Sequence, residues 1–161
     1  MMNIKDIEKT SLSDDDIYNK LRGKTNILLY RELRDITQIE QILKDNSVVI
    51  LYENKPKRGH WICIIRYIKN NIPTLEFFGS YGFFPDDEKN LISKEFIRNS
   101  NQRYNKIAEL LLEASNRYNI EFNDYKLQKK SSDIATCGRH VISRINLKNL
   151  DIDEYHEFLS S

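Results

Sequence analysis

Three apolar segments with short polar connections occupy the middle of the chain and constrain its fold more than any other feature. They are residues 48–52, 61–68 and 74–78, and they are dense in isoleucine, valine and aromatic residues. The first ends at the polar stretch 54–59, and an Asn-Asn pair separates the second from the third. β-Branched and aromatic residues favour strands, and connections this short join antiparallel neighbours. The pattern therefore predicts an antiparallel sheet.

Segments with helical periodicity lie on both sides of these strands. The clearest spans 103–118, where apolar residues recur at helical spacing, and a second spans 137–145. Shorter helical segments are predicted at 13–23, 37–43 and 85–88, a strand at 120–127, and an element of open type at 27–30. The order of small helices, sheet, helices, strand and helix predicts an α+β domain.

Length and charge limit the kinds of protein that this chain can be. Its 161 residues predict one domain, 1–161, in which residues 1–12 form a loose leader. With 25 basic and 24 acidic residues the formal net charge is +1, which excludes a polybasic nucleic-acid-binding protein. The apolar runs are too short to span a bilayer, and no charged-then-apolar leader signals secretion. We expect a monomer that has no membrane partner and is not secreted.

The chain has two cysteines, which do not make a disulfide framework. Cys63 lies inside an apolar strand, where a free cysteine is usually a small core residue. Cys137 lies where a helix is predicted to begin, after the candidate cap Thr136, and a helix N-terminus lowers the pKa of a thiol. The small Gly138 beside it would let a substrate backbone approach closely. Cys137 is therefore the candidate nucleophile.

Three histidines are candidates for the base that a thiol nucleophile needs. His60 opens a predicted strand, a position that is rigid and reachable and so suits a general base. His60 and Cys63 differ by an odd number, so on one strand they point to opposite faces. His60 with Cys137 is therefore the candidate dyad. His140 is interpreted as a helix-surface residue and His156 as part of a solvated acidic segment.

Two further interpretations concern the same region. His60-x-x-Cys63 and Cys137-x-x-His140 offer two pairs of nitrogen and sulfur ligands at a spacing that zinc accepts, although strand parity separates the first pair. Gln128 lies nine residues before the candidate nucleophile. Its side-chain amide either donates to an oxyanion or is exposed on a loop.

Taken together, these residues resemble the adenain-like cysteine proteases, the clan that contains the adenovirus endopeptidase and the SUMO-processing proteases. The motifs, in order, are Gly59-His60-Trp61, Phe77-Phe78-x-Ser80-Tyr81-Gly82, Gln128 and Thr136-Cys137-Gly138-Arg139-His140. The resemblance covers about residues 14–145 and is closest to short versions from large DNA viruses, virophages and Polinton-type elements. It implies a papain-like α+β fold, with the cysteine on a helix packed against the sheet that carries the histidine.

The resemblance implies a role for each matching residue. Cys137 matches the nucleophile, His60 the general base and Gln128 the oxyanion-hole side chain. The Cys137 backbone N–H would be the second oxyanion donor, and Trp61 would shape the cleft beside the base. Such an enzyme uses no metal or organic cofactor. It cleaves viral structural polyproteins at Gly-rich sites during virion maturation, which predicts a capsid or core precursor as substrate and a location in the virion and the cytoplasmic viral factory.

Adenovirus-type enzymes can also use DNA and a peptide as activators. A net charge of +1 offers no broad basic face for DNA. Two lysine- and arginine-containing stretches could form a local patch at the rim of the cleft: Lys55, Lys57 and Arg58 beside the histidine, and Lys126, Lys129 and Lys130 beside the glutamine. The alternative is that these are ordinary solvated loop charges.

The chain departs from the family at Gly79, where the family has an acid that orients the histidine. Glu76 has the opposite strand parity and is expected to face away, whereas Asp86 and Asp87 lie beyond a turn and could fold back. A backbone carbonyl, Ser80 or a water could hold the ring instead. Three interpretations stay open: an active viral endopeptidase, a ubiquitin- or SUMO-type isopeptidase of the same fold, and a catalytically impaired binding domain.

Overall fold

The computed structural model describes residues 14–56, 58–124 and 135–160. Outside these residues lie the predicted leader, Ser13 at the start of the predicted segment 13–23, Lys57, the 125–127 end of the last predicted strand, Gln128 and the lysines that follow it. The strands are β1 (Asn26–Leu29), β2 (Ser47–Lys55), β3 (Arg58–Lys69), β4 (Ile72–Phe78) and β5 (Asn119–Phe122). The helices are α1 (Asp14–Leu21), α2 (Lys94–Asn99), α3 (Lys106–Ala114), α4 (Ala135–Asn146) and α5 (Ile152–Ser160). Short 3₁₀ helices span Tyr30–Leu33, Ile39–Gln41 and Asp87–Leu91.

Within the described ranges, the strands form one mixed sheet in the order β1-β2-β3-β4-β5. β2, β3 and β4 are antiparallel, which confirms the predicted central sheet. β1 and β5 run parallel to β2 and β4, respectively. Helices flank this sheet, so the α+β class predicted from the sequence is confirmed.

The alternation of side chains along the strands produces two hydrophobic cores, one on each face of the sheet. The first core contains Ile62 and Ile64 of β3 and receives apolar residues of α3. The second core contains Trp61 and Cys63 of β3 and receives apolar residues of α1 and α4. Cys63 is fully buried there, which confirms its predicted place in the core.

Three helix predictions need correction. α4 begins at Ala135, so Thr136 lies inside the helix and is not its N-cap, and Cys137 is the third helical residue. The helix predicted over 103–118 is limited to Lys106–Ala114. The segment predicted at 37–43 forms only the 3₁₀ turn Ile39–Gln41, because Asp45 and Asn46 adopt left-handed backbone conformations that turn the chain into β2.

The C-terminal segment is also packed more closely than its acidic composition predicts. α5 buries Ile152, Tyr155 and His156, and Tyr155 belongs to the second core. His156 Nε2 lies 2.9 Å from Asn123 Oδ1. The interpretation of His156 as part of a solvated face is therefore wrong, because the apolar side of the amphipathic helix carries it inward. None of the helices in the described ranges has the length and apolar character needed to cross a bilayer.

A buried ion pair fixes α4 against β4. Arg144 Nε donates to Glu76 Oε2 at 2.8 Å and Arg144 Nη2 donates to Glu76 Oε1 at 2.7 Å, with both side chains fully buried. The same guanidinium donates to the carbonyl oxygens of Leu147 and Leu150. Glu76 therefore faces the second core, away from the face of Gly79, as strand parity predicts. The bidentate contact holds the helix that carries Cys137.

Candidate active site

The Cys137 sulfur lies against the backbone at the start of β3. It accepts a hydrogen bond from the Trp61 backbone N–H at 3.3 Å, and it lies 3.9 Å from the Gly59 carbonyl oxygen. Because these two groups belong to the residues on either side of His60, the structure brings the predicted nucleophile to the segment of the predicted base. The sulfur is fully buried in the second core, in the first turn of α4.

The β3–β4 ladder ends before it reaches this contact. Pairing between β3 and β4 stops at Cys63 and Phe78, so Trp61 lies beyond the last paired residue of β4. Gly59 shapes the strand start on the β2 side, next to an irregularity in the register. Its φ is +152°, and a Cβ there would lie 2.0 Å from the Tyr52 carbonyl oxygen. Only glycine fits this close approach.

His60 is held on the other face of the same strand. It pairs with Tyr52, a residue of the first core, so its side chain projects toward that core and away from Cys63. Its ring centroid lies 5.9 Å from that of Tyr81. His60 is 2 % exposed, and its Nδ1 is buried without a hydrogen-bond partner. Burial lowers the pKa of the imidazole to about 4, so the ring is neutral at neutral pH.

Trp61 separates the sulfur from a surface cavity. Its backbone contacts Cys137, while the residue also lines a cavity of about 410 Å³. Leu29 and Tyr18 contribute to the apolar wall, and Asp15 and Glu32 line the same cavity. The role of Trp61 in shaping a substrate cleft stays a prediction.

Gly138 has a different role from the one predicted. A Cβ at this position would lie 2.1 Å from Ile17 Cδ1, 2.8 Å from Ile17 Cγ1 and 3.3 Å from Trp61 Cδ1. The space beside the glycine is thus filled by the chain itself, and no room is left there for a substrate backbone. The absence of a side chain lets α1 pack closely on α4.

The site also contains a residue that the sequence reasoning missed. Gly79 is buried, and a Cβ there would lie 2.3 Å from Glu88 Oε1. The carboxyl group of Glu88 therefore occupies the space of the missing side chain. Glu88 is 1 % exposed, and burial raises its pKa to about 8. The acidic run 86–88 was the available signal, but charge alone predicts an exposed helical turn.

The other two acids of that run behave differently. Asp86 folds back, as the sequence allowed. Its Oδ1 accepts from the Tyr52 hydroxyl at 3.2 Å and its Oδ2 from the Ala108 N–H at 2.8 Å. Asp87 is exposed.

The remaining predicted ligands and site residues are placed as follows. Within the described ranges no group of three or more histidine, cysteine and acidic residues could hold a metal ion. His60 and Cys63 project to opposite faces of β3, as strand parity predicts. His140 is half-buried in α4, and Gln128 lies outside the described residues.

Comparison with known proteins identifies a viral relative. Over 160 residues the chain is 37% identical to uncharacterized protein V9 of Sputnik virophage, an alignment that covers 99% of this chain and 89% of V9. The chain belongs to the V9 family. No family model matches it, and no solved structure matches it.

Membership of the V9 family confirms the viral origin that the sequence predicted. The name of the Sputnik protein states no activity. The protease activity and the papain-like type of fold therefore stay predictions for this V9-family protein.

Proposed function

We propose that this V9-family protein is a cysteine endopeptidase of the adenain-like type, which processes viral structural proteins during virion maturation. The observation that supports it most is the position of the Cys137 sulfur, between the Gly59 carbonyl and the Trp61 N–H that flank His60. A thiol in the first turn of a helix, beside a backbone N–H donor and a histidine, is placed where its thiolate is stabilised. The order of motifs in the sequence supports the same assignment.

In the proposed reaction the His60 ring, which projects from the other face of β3, swings past the strand start to the sulfur and takes its proton. The ring is neutral at neutral pH, so a nitrogen is free to accept. The burial that lowers its pKa to about 4 also makes it a weak base, so the imidazolium requires a stabilising partner. The thiolate attacks the scissile carbonyl carbon and forms a tetrahedral oxyanion, to which the Cys137 N–H and, by resemblance, Gln128 donate. Collapse expels the amine, which receives the proton from His60, and leaves an acyl-enzyme. Water then hydrolyses the thioester and restores the thiol.

The cavity beside Trp61 is the proposed substrate cleft. Its wall is built in part from partly exposed apolar residues of β1, and its volume of about 410 Å³ is within the range of ligand pockets. The proposed papain-like arrangement has Cys137 on α4 and His60 on β3. The cavity is lined by residues of α1, β1 and β2, and among the residues of β3 it is Trp61, next to His60, that lines it. The proposed substrate is a viral capsid or core precursor.

An active-site titration tests this proposal. A peptide carrying a thiol-reactive group is added to the full-length protein, and mass spectrometry identifies the modified cysteine and its rate. We expect modification at Cys137, faster than that of free cysteine, and cleavage of capsid-precursor peptides. Turnover of a ubiquitin C-terminal fluorogenic conjugate, without cleavage of capsid peptides, would support the isopeptidase alternative instead.

A second candidate is a binding domain that keeps the cleft but has lost catalysis. The full burial of the Cys137 sulfur and the placement of His60 on the opposite face favour it. In that case iodoacetamide would modify Cys137 no faster than free cysteine at neutral pH, because the thiol would not be activated. The same measurement thus separates the two candidates.

A further inference from the structure

Two residues account for the unpaired buried polar atoms of side chains in the described ranges. These atoms are Nδ1 of His60 and both carboxyl oxygens of Glu88. Buried polar atoms of side chains are nearly always hydrogen-bonded in proteins, so each exception needs an explanation. An imidazole and a carboxyl group are complementary partners, since each can donate or accept a proton. The two side chains are therefore candidates to pair with each other.

The neighbours of the Glu88 carboxyl group are also neighbours of His60. A Cβ at Gly79, directly after β4, would lie 2.3 Å from Glu88 Oε1 and 3.3 Å from Ile62 Cγ2 of β3, so the carboxyl group and Ile62 border the same space. Toward β2, its charge contributes, after burial and Asp86, to raising the pKa of Tyr52. His60 pairs with Tyr52, lies two residues before Ile62 on the same face, and contacts the ring of Tyr81. Glu88 and His60 therefore share one pocket on the first-core face of the sheet.

The other charged groups around this pocket are already engaged. Asp86 accepts hydrogen bonds from the Tyr52 hydroxyl and the Ala108 N–H. Lys89 Nζ donates to the carbonyl oxygens of Gln102 and Tyr104. Glu76 is paired with Arg144 on the opposite face, and Asp87 is exposed.

We propose that Glu88 is the positioning residue of His60, and that its carboxyl group replaces, from the 3₁₀ helix Asp87–Leu91, the side chain that Gly79 lacks. The proposal rests on the proposed function for its catalytic consequence. In the working arrangement, reached when Glu88 ionises above about pH 8, its carboxylate accepts the imidazole N–H. It thereby holds the ring and stabilises the imidazolium that forms when His60 takes the proton of Cys137. Glu88 itself touches neither the substrate nor the sulfur.

The protonation states fit a pair that is neutral when resting. Burial raises the pKa of Glu88 to about 8 and lowers that of His60 to about 4, so between these values neither group is charged. The carboxylate form of Glu88 dominates above about pH 8, so the chemical shifts of a paired histidine ring must change as the carboxylate forms. Tyr52, Asp86 and Lys89 face this region from the neighbouring elements, so the test must separate their titration from that of Glu88.

Nuclear magnetic resonance of the imidazole carries out this separation without needing any substrate. The experiment uses the full-length Cys137→Ala protein with isotope-labelled histidine, so that the Cys137 thiol does not contribute to the titration. The signal that is lost in a His60→Gln variant is assigned to His60. We expect the His60 ring signals to move with a midpoint near pH 8. The movement should vanish on adding Glu88→Gln and persist on adding Asp87→Asn, which makes the same charge change at the neighbouring exposed residue. A His60 signal that does not move, or that moves equally in Glu88→Gln, would overturn the proposal.

Kinetics with intact Cys137 complete the test. Glu88→Gln should lower the rate of Cys137 alkylation and of peptide cleavage by roughly 10²-fold, mainly in kcat, while Asp87→Asn leaves both unchanged. If the wild-type protein cleaves peptides and Glu88→Gln cleaves them equally well, the positioning role fails and the proposed function stands. If no peptide is cleaved but the His60 signal depends on Glu88, the pairing stands and the proposed function fails. Circular dichroism checks that each variant is folded.

Discussion

The Trp61 backbone N–H donates a hydrogen bond to the Cys137 sulfur across 3.3 Å, and this contact joins the start of β3 to the start of α4. Two irregular features of the sheet surround this contact. β4 ends before it reaches Trp61, and at Gly59 the absence of a side chain allows a close approach to the Tyr52 carbonyl of β2. The thiol is thus held by the backbone beside His60, independently of which way the imidazole points.

The two cysteines should differ sharply in reactivity. Cys137→Ala should abolish peptide cleavage and labelling by iodoacetamide, because it removes the proposed nucleophile. Cys63→Ala should leave both nearly intact, since Cys63 is fully buried in the second core and burial raises its pKa. Cys63→Ala should instead lower the free energy of unfolding by about 1–2 kcal/mol. Equal losses of cleavage in the two variants would exclude the dyad.

Moving the acid to position 79 should reproduce the family arrangement. Gly79→Asp alone places a second carboxyl group where the Glu88 oxygen lies, 2.3 Å from the new Cβ. We therefore expect a loss of stability of about 1–3 kcal/mol and no gain in rate. Gly79→Asp with Glu88→Ala frees the space and should restore cleavage above the level of Glu88→Ala. Cleavage assays and urea unfolding measure the two effects, and a double variant as slow as Glu88→Ala would contradict the relocation.

Stability should depend on pH through Glu88. Burial raises its pKa from 4.5 in the unfolded chain to about 8 in the folded protein. The folded protein keeps a proton that the unfolded chain releases, so the free energy of unfolding falls as the pH rises from about 4.5 to about 8. Glu88→Gln has no such titrating proton. At alkaline pH its free energy of unfolding should exceed that of the wild type by roughly 3–5 kcal/mol, and this difference should vanish below about pH 4.5. Urea unfolding at each pH measures this.

Asp87→Asn is the control for that experiment, because Asp87 is exposed and precedes Glu88 directly. It should change the free energy of unfolding by less than about 0.5 kcal/mol at every pH. A Glu88→Gln difference that stays constant across the pH range would rule out a buried, protonated Glu88.

The ion pair between Glu76 and Arg144 should be sensitive to the loss of one partner. Both side chains are fully buried, so Glu76→Gln leaves an uncompensated buried guanidinium and should cost about 3–5 kcal/mol. Asp153→Asn breaks the pair with Lys69, in which the acid is 74% exposed, and should cost less than about 1 kcal/mol. Chemical denaturation compares the two, and similar costs would contradict the burial argument.

Gly138→Ala should test the contact between α1 and α4. The added methyl group meets Ile17 Cδ1 at 2.1 Å, so we expect a loss of about 1–3 kcal/mol. Ile17→Val removes that carbon atom and should relieve part of the clash, so the double variant should lose less than the sum of the two single variants. Strict additivity in urea unfolding would show that the glycine is not required for this packing.

Local sequence patterns were sufficient for the central strands and for the place of Cys63 in the core. The β-branched runs and strand parity placed Cys63 in a core and Glu76 away from Gly79, and both placements depend only on local periodicity. The burial of Glu88 and His156 could not be predicted in this way. Tertiary packing carries each of them inward, Glu88 against Gly79 and His156 against Asn123, so the polar composition of their segments was misleading. Likewise, the parallel pairing of β1 and β5 is decided by neighbours outside their own segments.

The carboxyl group beside Gly79 belongs to Glu88 of a 3₁₀ helix and not to the residue that follows β4. This affects how related chains can be recognised. A pattern that requires an aspartate or glutamate at the position of Gly79 would pass over this protein, even though a carboxyl group fills the same volume. The informative pair of positions is a glycine after the fourth strand together with an acid nine residues later, here Gly79 and Glu88. Among V9-family proteins these two positions are expected to vary together, an acid at one accompanying a small residue at the other.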